Sequence, residues 1–442
     1  MTRLSQARSE SVFKDFKPAY DANHAVVEAN RCLYCIEAPC QIACPTKIDI
    51  PQFIRRIATD NVKNSAKTIL SSNILGMSCA RVCPVEVLCV GACVYNEMNQ
   101  PPIQIGKLQR YATDLALEKG WRFFEAGEDS GRSVGLVGAG PASLAAAHEL
   151  RRHGHAVTVY DKRDVVGGLN TWGVAPYKLR AEDALAEVDY VLGIGGIDVQ
   201  LGIEVGDGEF SDLSWADLEA KHDAVFLGFG LGEDSGLDVP GLDLAGVHGA
   251  VDFIECFKTG SVDLSWARHA VVIGGGNTAV DAVRELKGLG VAEVSLVYRG
   301  TEAGMSGYQH EWKAAKVEGV RASWRSQPLA FLGSERLLSI HCARLGDDKQ
   351  PTGDTYTIAA DLALLAIGQG KLGKIIAGLD GIETKWGRVV VDETGATGRP
   401  GWFAGGDCTN GGKEVVNAVA EGKAAAAAIH AYVTRTNATG GA

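Results

Sequence analysis

The spacing of apolar positions changes near residue 130. Before it, apolar residues recur at helical intervals in short stretches such as 51–58 and 105–117, with few β-branched alternations, and this predicts an all-helical region. Residues 125–131, Glu-Ala-Gly-Glu-Asp-Ser-Gly, are small and polar and read as a linker. Beyond them the pattern becomes apolar run, glycine turn, helical stripe, apolar run. Residues 133–137 predict a strand, 138–143 a turn, 144–152 a helix, and 156–160 a strand ending at Asp161. The same order returns as strand 269–273, turn 274–279, helix 280–289 and strand 293–298, which ends at Arg299.

Each turn has a chemical reading. In Gly138-Ala-Gly140-Pro141-Ala142-Ser143 the glycines allow a tight turn and a close backbone approach to a pyrophosphate, and the following helix N-terminus attracts its charge. Asp161 then stands where an acid holds a ribose. Gly274-Gly-Gly276-Asn277-Thr278-Ala279 repeats the arrangement. Two such Rossmann units in one chain suggest a flavin site and a nicotinamide site, the pair needed to pass hydride from a soluble carrier to a bound one. Val166-Gly-Gly168-Leu169 follows the first acidic strand end and reads as a flavin contact. So does Trp402-Phe-Ala-Gly-Gly406-Asp407, which runs into a helix expected over 414–430. Asp407 is placed to hold ribityl hydroxyls, and Val415, Val416 and Asn417 at the helix N-terminus to face the flavin ring. Because this late segment belongs with the first unit, the second is expected to be inserted into it.

Composition narrows the class. The 442 residues carry a formal charge of -11 with no basic run, which gives no electrostatic footprint for nucleic acid or an anionic membrane. No apolar stretch approaches the ~20 residues of a membrane-spanning helix, and the N-terminus does not resemble a secretory signal. A soluble, cytoplasmic protein is expected. His153 and His155 flank Gly154 in a helix-to-strand turn and show no ligand pattern, so solvent exposure is expected for both.

Eight of the eleven cysteines lie at positions 32, 35, 40, 44, 79, 83, 89 and 93. The run Cys32-x2-Cys35-x4-Cys40-x3-Cys44-Pro45 offers three close thiolates and a fourth thrown onward, the pattern of a two-cluster 4Fe-4S module, and Cys79, Cys83, Cys89 and Cys93 complete both cages. Zinc knuckles usually pair two CxxC units, and only one is present. A disulfide framework fits poorly with so few cysteines elsewhere. Cys256, Cys342 and Cys408 are scattered singly, so the redox-active CxxC of thiol-disulfide flavoenzymes is missing.

The stretches Arg31-Cys32-Leu-Tyr-Cys35-Ile-Glu-Ala-Pro-Cys40-Gln-Ile-Ala-Cys44-Pro45-Thr46 and Asn73-Ile-Leu-Gly-Met-Ser-Cys79-Ala-Arg-Val-Cys83-Pro84, with Pro102-Ile-Gln-Ile-Gly-Lys-Leu-Gln109, resemble the NAD(P)H-oxidising half of dihydropyrimidine dehydrogenase. They resemble the glutamate synthase small subunit less closely. The similarity spans about residues 28–430, and Ser143 in place of a more usual glycine leans toward the pyrimidine family, whose bacterial members split into two chains. The resemblance implies one 4Fe-4S cluster on Cys32, Cys35, Cys40 and Cys93, and another on Cys44, Cys83, Cys89 and the amide of Gln109, with Cys79 a spare thiol. It also implies Lys178 near FAD, and Gly274, Gly276, Asn277, Thr278, Arg299 and the Ala366-Ile-Gly368 turn near the nicotinamide cofactor.

No side chain is assigned to catalysis. Arg299 alone favours NADPH, yet Gly300 and Ser306 supply no second basic residue, so NADH is the expected donor with NADPH the alternative. The family's pyrimidine-reducing half is an FMN-bearing barrel of roughly 250 residues, expected on a separate catalytic subunit in a hetero-oligomer. The expected function is electron input: NADH to FAD, then single electrons through two 4Fe-4S clusters toward uracil or thymine on that partner. The small subunit of glutamate synthase is the alternative. The expected architecture is α/β, with a helical iron-sulfur domain (1–128), a first part of the FAD domain (129–232), a nicotinamide domain (233–370) and a second part of the FAD domain (371–442).

Overall fold

A computed structural model describes residues 4–5, 7–232, 234–370, 372, 376 and 379–435. The expected boundaries at residues 1, 233, 371 and 442 lie outside the described residues. The first region is helical: α1 (Ala22–Asn30), α2 (Pro39–Ala43), α3 (Ile50–Ala58), α4 (Val62–Ser72), α5 (Gly76–Val82) and α6 (Ile105–Glu118). α3 shows why. Ile50, Phe53, Ile54 and Ile57 recur at helical spacing and are all buried, Pro51 sits in the first turn, and Asp49 caps the helix by accepting the Gln52 N–H at 3.1 Å. The segment before α1 leaves this cage: Phe13 packs on Phe257, and Ser9 N–H donates to Gly260 O at 3.0 Å.

The first Rossmann unit contains β1 (Ser133–Val137), α7 (Pro141–Arg152), β2 (Ala156–Asp161), α8 (Leu169–Trp172), α9 (Ala181–Leu192), β3 (Ile197–Leu201), α10 (Trp215–Lys221) and β4 (Ala224–Leu227). The second follows with β5 (Val247–Gly249), α11 (Ala250–Thr259), β6 (His269–Ile273), α12 (Asn277–Gly288), β7 (Glu293–Tyr298), α13 (Gln309–Val317), β8 (Arg321–Trp324), β9 (Ser326–Gly333), β10 (Leu337–Leu345), β11 (Pro351–Ala359) and β12 (Leu362–Leu365). The chain then returns through β13 (Thr384–Lys385), β14 (Arg388–Val389), β15 (Trp402–Ala404), α14 (Asp407–Asn410) and α15 (Val415–Arg435).

Two five-stranded sheets run in the orders β15-β4-β1-β2-β3 and β5-β12-β6-β7-β8, with parallel neighbours throughout. β15 pairs with β4 although the whole second unit intervenes in sequence, so the second unit is inserted in the first, as the pattern predicted. In both sheets the glycine turn follows the central strand, where ligands bind open α/β sheets.

Three local expectations are corrected. α7 and α12 start at Pro141 and Asn277, three residues earlier than the apolar stripes suggested, because Gly140 and Gly276 serve as N-caps and the turn residues already belong to the first helical turn. α15 runs on to Arg435, past the expected end at 430. His153 is exposed, but His155 is fully buried: its ring bridges Ser130 Oγ (2.7 Å) and His430 Nδ1 (2.9 Å) beneath α15.

Candidate cofactor sites

The cysteines separate into two groups. Cys32, Cys35, Cys40 and Cys93 line an outer cavity, against Ile50, Pro51 and Ile54 of α3. Cys44, Cys83 and Cys89 line an inner cavity, whose wall also includes Cys79 of α5, Gln109 of α6, Asn73 and Val416. The thiols ring space rather than converge on a point, and among the described residues no three histidine, cysteine or carboxylate side chains are placed to hold a single metal ion. That disposition fits a multi-iron cluster better than four-coordinate zinc. Burial, and then the neighbouring thiols, push Cys40 and Cys89 up to about 12, a cost to the thiolate form that bound cationic metal would offset.

Both Cys79 and Gln109 border the inner cavity. Gln109 Nε2 donates to Gly76 O at 2.7 Å, which leaves Oε1 as the side chain's free acceptor. Cys79 of α5 is buried beside Cys83, the residue that caps the C-terminus of that helix. The N-terminus of α5 is gripped from the flavin unit: Glu187 of α9 accepts Met77 N–H at 2.7 Å and Ser78 N–H at 3.0 Å. Burial pushes this carboxyl up to about 7 despite those donors. No local pattern marks Glu187, whose role depends on a contact across 109 positions.

At the first Rossmann turn, three distant stretches meet. A methyl group added to Gly168, which has φ +56°, would stand 2.7 Å from the Gly140 Cα, and one on Gly406 would stand 3.0 Å from the Ala142 Cβ. The turn of Gly138, Gly140, Pro141 and Ala142 therefore meets the Gly168-Leu169 and Gly406-Asp407 turns in one cradle, while Ser143 is buried with its hydroxyl against Gly228. A methyl on Gly140 itself would meet nothing closer than 3.9 Å, which leaves the backbone open to a phosphate. Asp161 accepts the Ala139 N–H at 2.7 Å and the Arg163 N–H at 2.8 Å, holding the turn while its remaining lone pairs stay available to a ribose. Burial pushes Asp407 up to about 6; the Lys413 N–H opposes this and Glu421 adds to it. Asn417 is half-buried in the first turn of α15, and Val416 of the same turn is buried against the inner cysteine cavity.

The second turn repeats this geometry. Gly140 and Gly276 have φ of -82° and -91° and the same ψ of -177°, and space beside Gly276 is open to 3.7 Å. Asn277 Oδ1 accepts the Tyr308 N–H at 3.0 Å, Thr278 is half-buried beside it, and Gly368 lies in open space at φ +109°. Arg299 is exposed at the end of β7, and Ser306 Oγ donates to Gly275 O at 3.4 Å. Lys178 is placed between the units: its ammonium meets Asp281 of α12 and Glu311 of α13, each at 2.8 Å. Burial works against that charge, but the two carboxylates hold its pKa above the ordinary value. Tyr308 OH reaches Glu414 Oε1 at 2.5 Å beside the start of α15, a second tie between the units.

Comparison with known proteins agrees with this division. Residues 8–121 match the family model for dihydropyrimidine dehydrogenase domain II, 4Fe-4S cluster, and residues 132–422 match the pyridine nucleotide-disulphide oxidoreductase model. The chain is 34% identical to the NAD-dependent dihydropyrimidine dehydrogenase subunit PreT of Escherichia coli over 424 residues, covering 96% of this chain and 98% of that one. It is 31% identical to the glutamate synthase [NADPH] small chain of Azospirillum brasilense over 446 residues, covering 95% and 91%. In fold it is similar to FprA from Mycobacterium tuberculosis (TM-score 0.58, 19% identity, 70% of this chain and 86% of that one). It is also similar to the thioredoxin reductase of T. acidophilum (TM-score 0.55, 20% identity, 68% and 98%). Cys256, Cys342 and Cys408 are all free cysteines.

Proposed function

The chain belongs to the family of NAD(P)H-dependent flavin/iron-sulfur oxidoreductases that includes PreT and the glutamate synthase small chain, and on that premise we propose that it is the electron-input subunit of an NADH-dependent dihydropyrimidine dehydrogenase. The observation that carries this reading is the first turn of α15. It lies beside the Gly406 and Asp407 side of the flavin cradle, and its Val416 forms part of the wall of the inner cysteine cavity. One short element therefore spans the flavin and cluster sites.

Bound FAD supplies the conversion of a two-electron hydride into single electrons that iron-sulfur clusters carry. The protein's own residues divide the remaining work. Gly140 and Gly276 open the two turns to pyrophosphates, and Asp161 and Asp407 present carboxylates to the flavin's ribose and ribityl hydroxyls. Lys178, with Asp281 and Glu311, holds the nicotinamide unit against the flavin unit. Cys32, Cys35, Cys40 and Cys93 are the ligands of the outer cluster; Cys44, Cys83, Cys89 and Gln109 Oε1 are those of the inner one. Ser306, neutral where a second cation would grip a 2′-phosphate, favours NADH.

Electrons leave from the outer cavity, beside which the loop residues Leu33 and Ile36 and Ile42 of α2 are exposed to a partner bearing FMN and the uracil or thymine site. Anaerobically purified protein is expected to reduce artificial dyes with NADH while leaving uracil untouched, and to reduce uracil once the FMN partner is added. Uracil reduction by the chain alone overturns the reading. Electron acceptance by a glutamine-dependent partner and not the FMN partner establishes the glutamate synthase role instead, which the 31% identity to that small chain supports. The same dye assay with NADPH measures the donor preference; each tenfold preference corresponds to ~1.4 kcal/mol.

A further inference from the structure

Asn73 follows the last residue of α4 and opens the Asn73-Ile-Leu-Gly stretch that leads into α5. It is completely buried, and most of its polar atoms are committed. Its backbone N–H donates to Ile69 O at 2.8 Å, and its Oδ1 accepts the Leu75 N–H at 3.0 Å. The first anchors the backbone at the end of α4, and the second orients the side-chain amide through its oxygen. Nδ2, with two N–H donors, is buried and has no partner in the protein. Asn73 is part of the wall of the inner cavity, where Ile48, Ile50, Val85, Leu88 and Val416 are apolar, and neither Gln109 Oε1 nor the cysteine sulfurs of that wall accept a hydrogen bond from Nδ2.

A buried amide donor without a partner is uncommon enough to need a cause, and this one borders the space ringed by Cys44, Cys83 and Cys89. We propose that Asn73 Nδ2 donates a hydrogen bond to a sulfur of the cluster held in the inner cavity and so raises that cluster's reduction potential. The inference rests on the proposed cluster assignment. Its physical basis is simple: reduction adds negative charge to the cluster, and an N–H dipole aimed at sulfur stabilises the more negative state. The outer cavity is lined by cysteine, aliphatic, proline and tyrosine side chains and has no side-chain amide, so the two clusters are tuned differently.

Pulsed EPR of the anaerobic holoprotein, labelled with 15N in asparagine side-chain amides and reduced by photoreduced deazaflavin, tests this directly. One of the two cluster signals is expected to carry a 15N coupling that Asn73→Leu removes. In that variant the midpoint potential of the same cluster moves to more negative values and the other stays fixed. Asn73→Asp keeps the acceptor for Leu75 N–H but loses the donor, and is expected to remove the coupling as well. Wild-type protein with full iron and sulfide but no 15N coupling overturns the proposal, and this outcome needs no variant to fold. Protein without acid-labile sulfide fails the cluster assignment itself, which is read before the label is examined.

Discussion

The outer and inner cysteine cavities grow from one interleaved sequence pattern and end in different surroundings. The outer one is walled by short loops and α3, and beside it Ile36 is fully exposed while Leu33 and Ile42 are at least half exposed. The inner one lies between α5, α6 and the start of α15, with Cys79, Cys83, Asn73 and Gln109 all buried. On the proposed reading this contrast gives electron flow its direction: the thiolates near solvent would be the outlet, and those packed by helices against the flavin unit the inlet.

The largest way to break this contrast is to remove one cage. Cys93→Ala is expected to empty the outer cavity alone and Cys83→Ala the inner one alone, each losing about half of the iron, because an absent thiolate opens a corner of the cube. Iron analysis with low-temperature EPR distinguishes the two, and loss of both clusters from either variant would show that the cavities are not independent. Next in size is the grip of Glu187 on α5. Its folded pKa of about 7 lies above its ordinary 4.5, so the native state holds the proton more tightly than the unfolded chain. Its contribution is full below about pH 4.5 and is lost as the pH rises through about 7, amounting to about 3 kcal/mol. Thermal unfolding of wild type and Glu187→Gln across that range should show a flatter pH dependence in the variant; parallel curves would remove Glu187 from the account.

A smaller effect is expected at the outlet. Ile36→Glu leaves the fold and NADH-driven dye reduction unchanged, since the side chain touches only solvent, but weakens coupling to the FMN partner by roughly tenfold. Partner titration in the uracil assay measures it. The smallest is no change at all: Cys79→Ala should retain both clusters, with Gln109 Oε1 as the fourth inner ligand. An inner cluster lost in that variant restores Cys79 as a ligand.

The two Rossmann units were legible because a strand, a glycine turn and a helix are local, and β1, β2, β6 and β7 fall on the expected residues, β2 ending on Asp161 itself. The insertion was legible too, since the late Trp402 to Asp407 stretch reads as a flavin contact far along the chain from its partner strand β4. What sequence could not carry were contacts between buried polar groups distant along the chain. Glu187 meets α5, Lys178 meets Asp281 and Glu311, and His155 meets His430 only after three layers have packed. The grouping of eight cysteines into two cavities was ambiguous for the same reason, because spacing treats Cys79 and Cys83 alike and says nothing of an amide arriving from α6.

The proposed function requires a 4Fe-4S cluster in each of two cavities of unlike surroundings, the inner one next to a single bound flavin. The direct measurement is the content of iron, acid-labile sulfide and FAD per chain in anaerobically purified protein. About eight irons, about eight sulfides and one FAD are expected; stoichiometric zinc without sulfide, or iron for one cluster only, would contradict it.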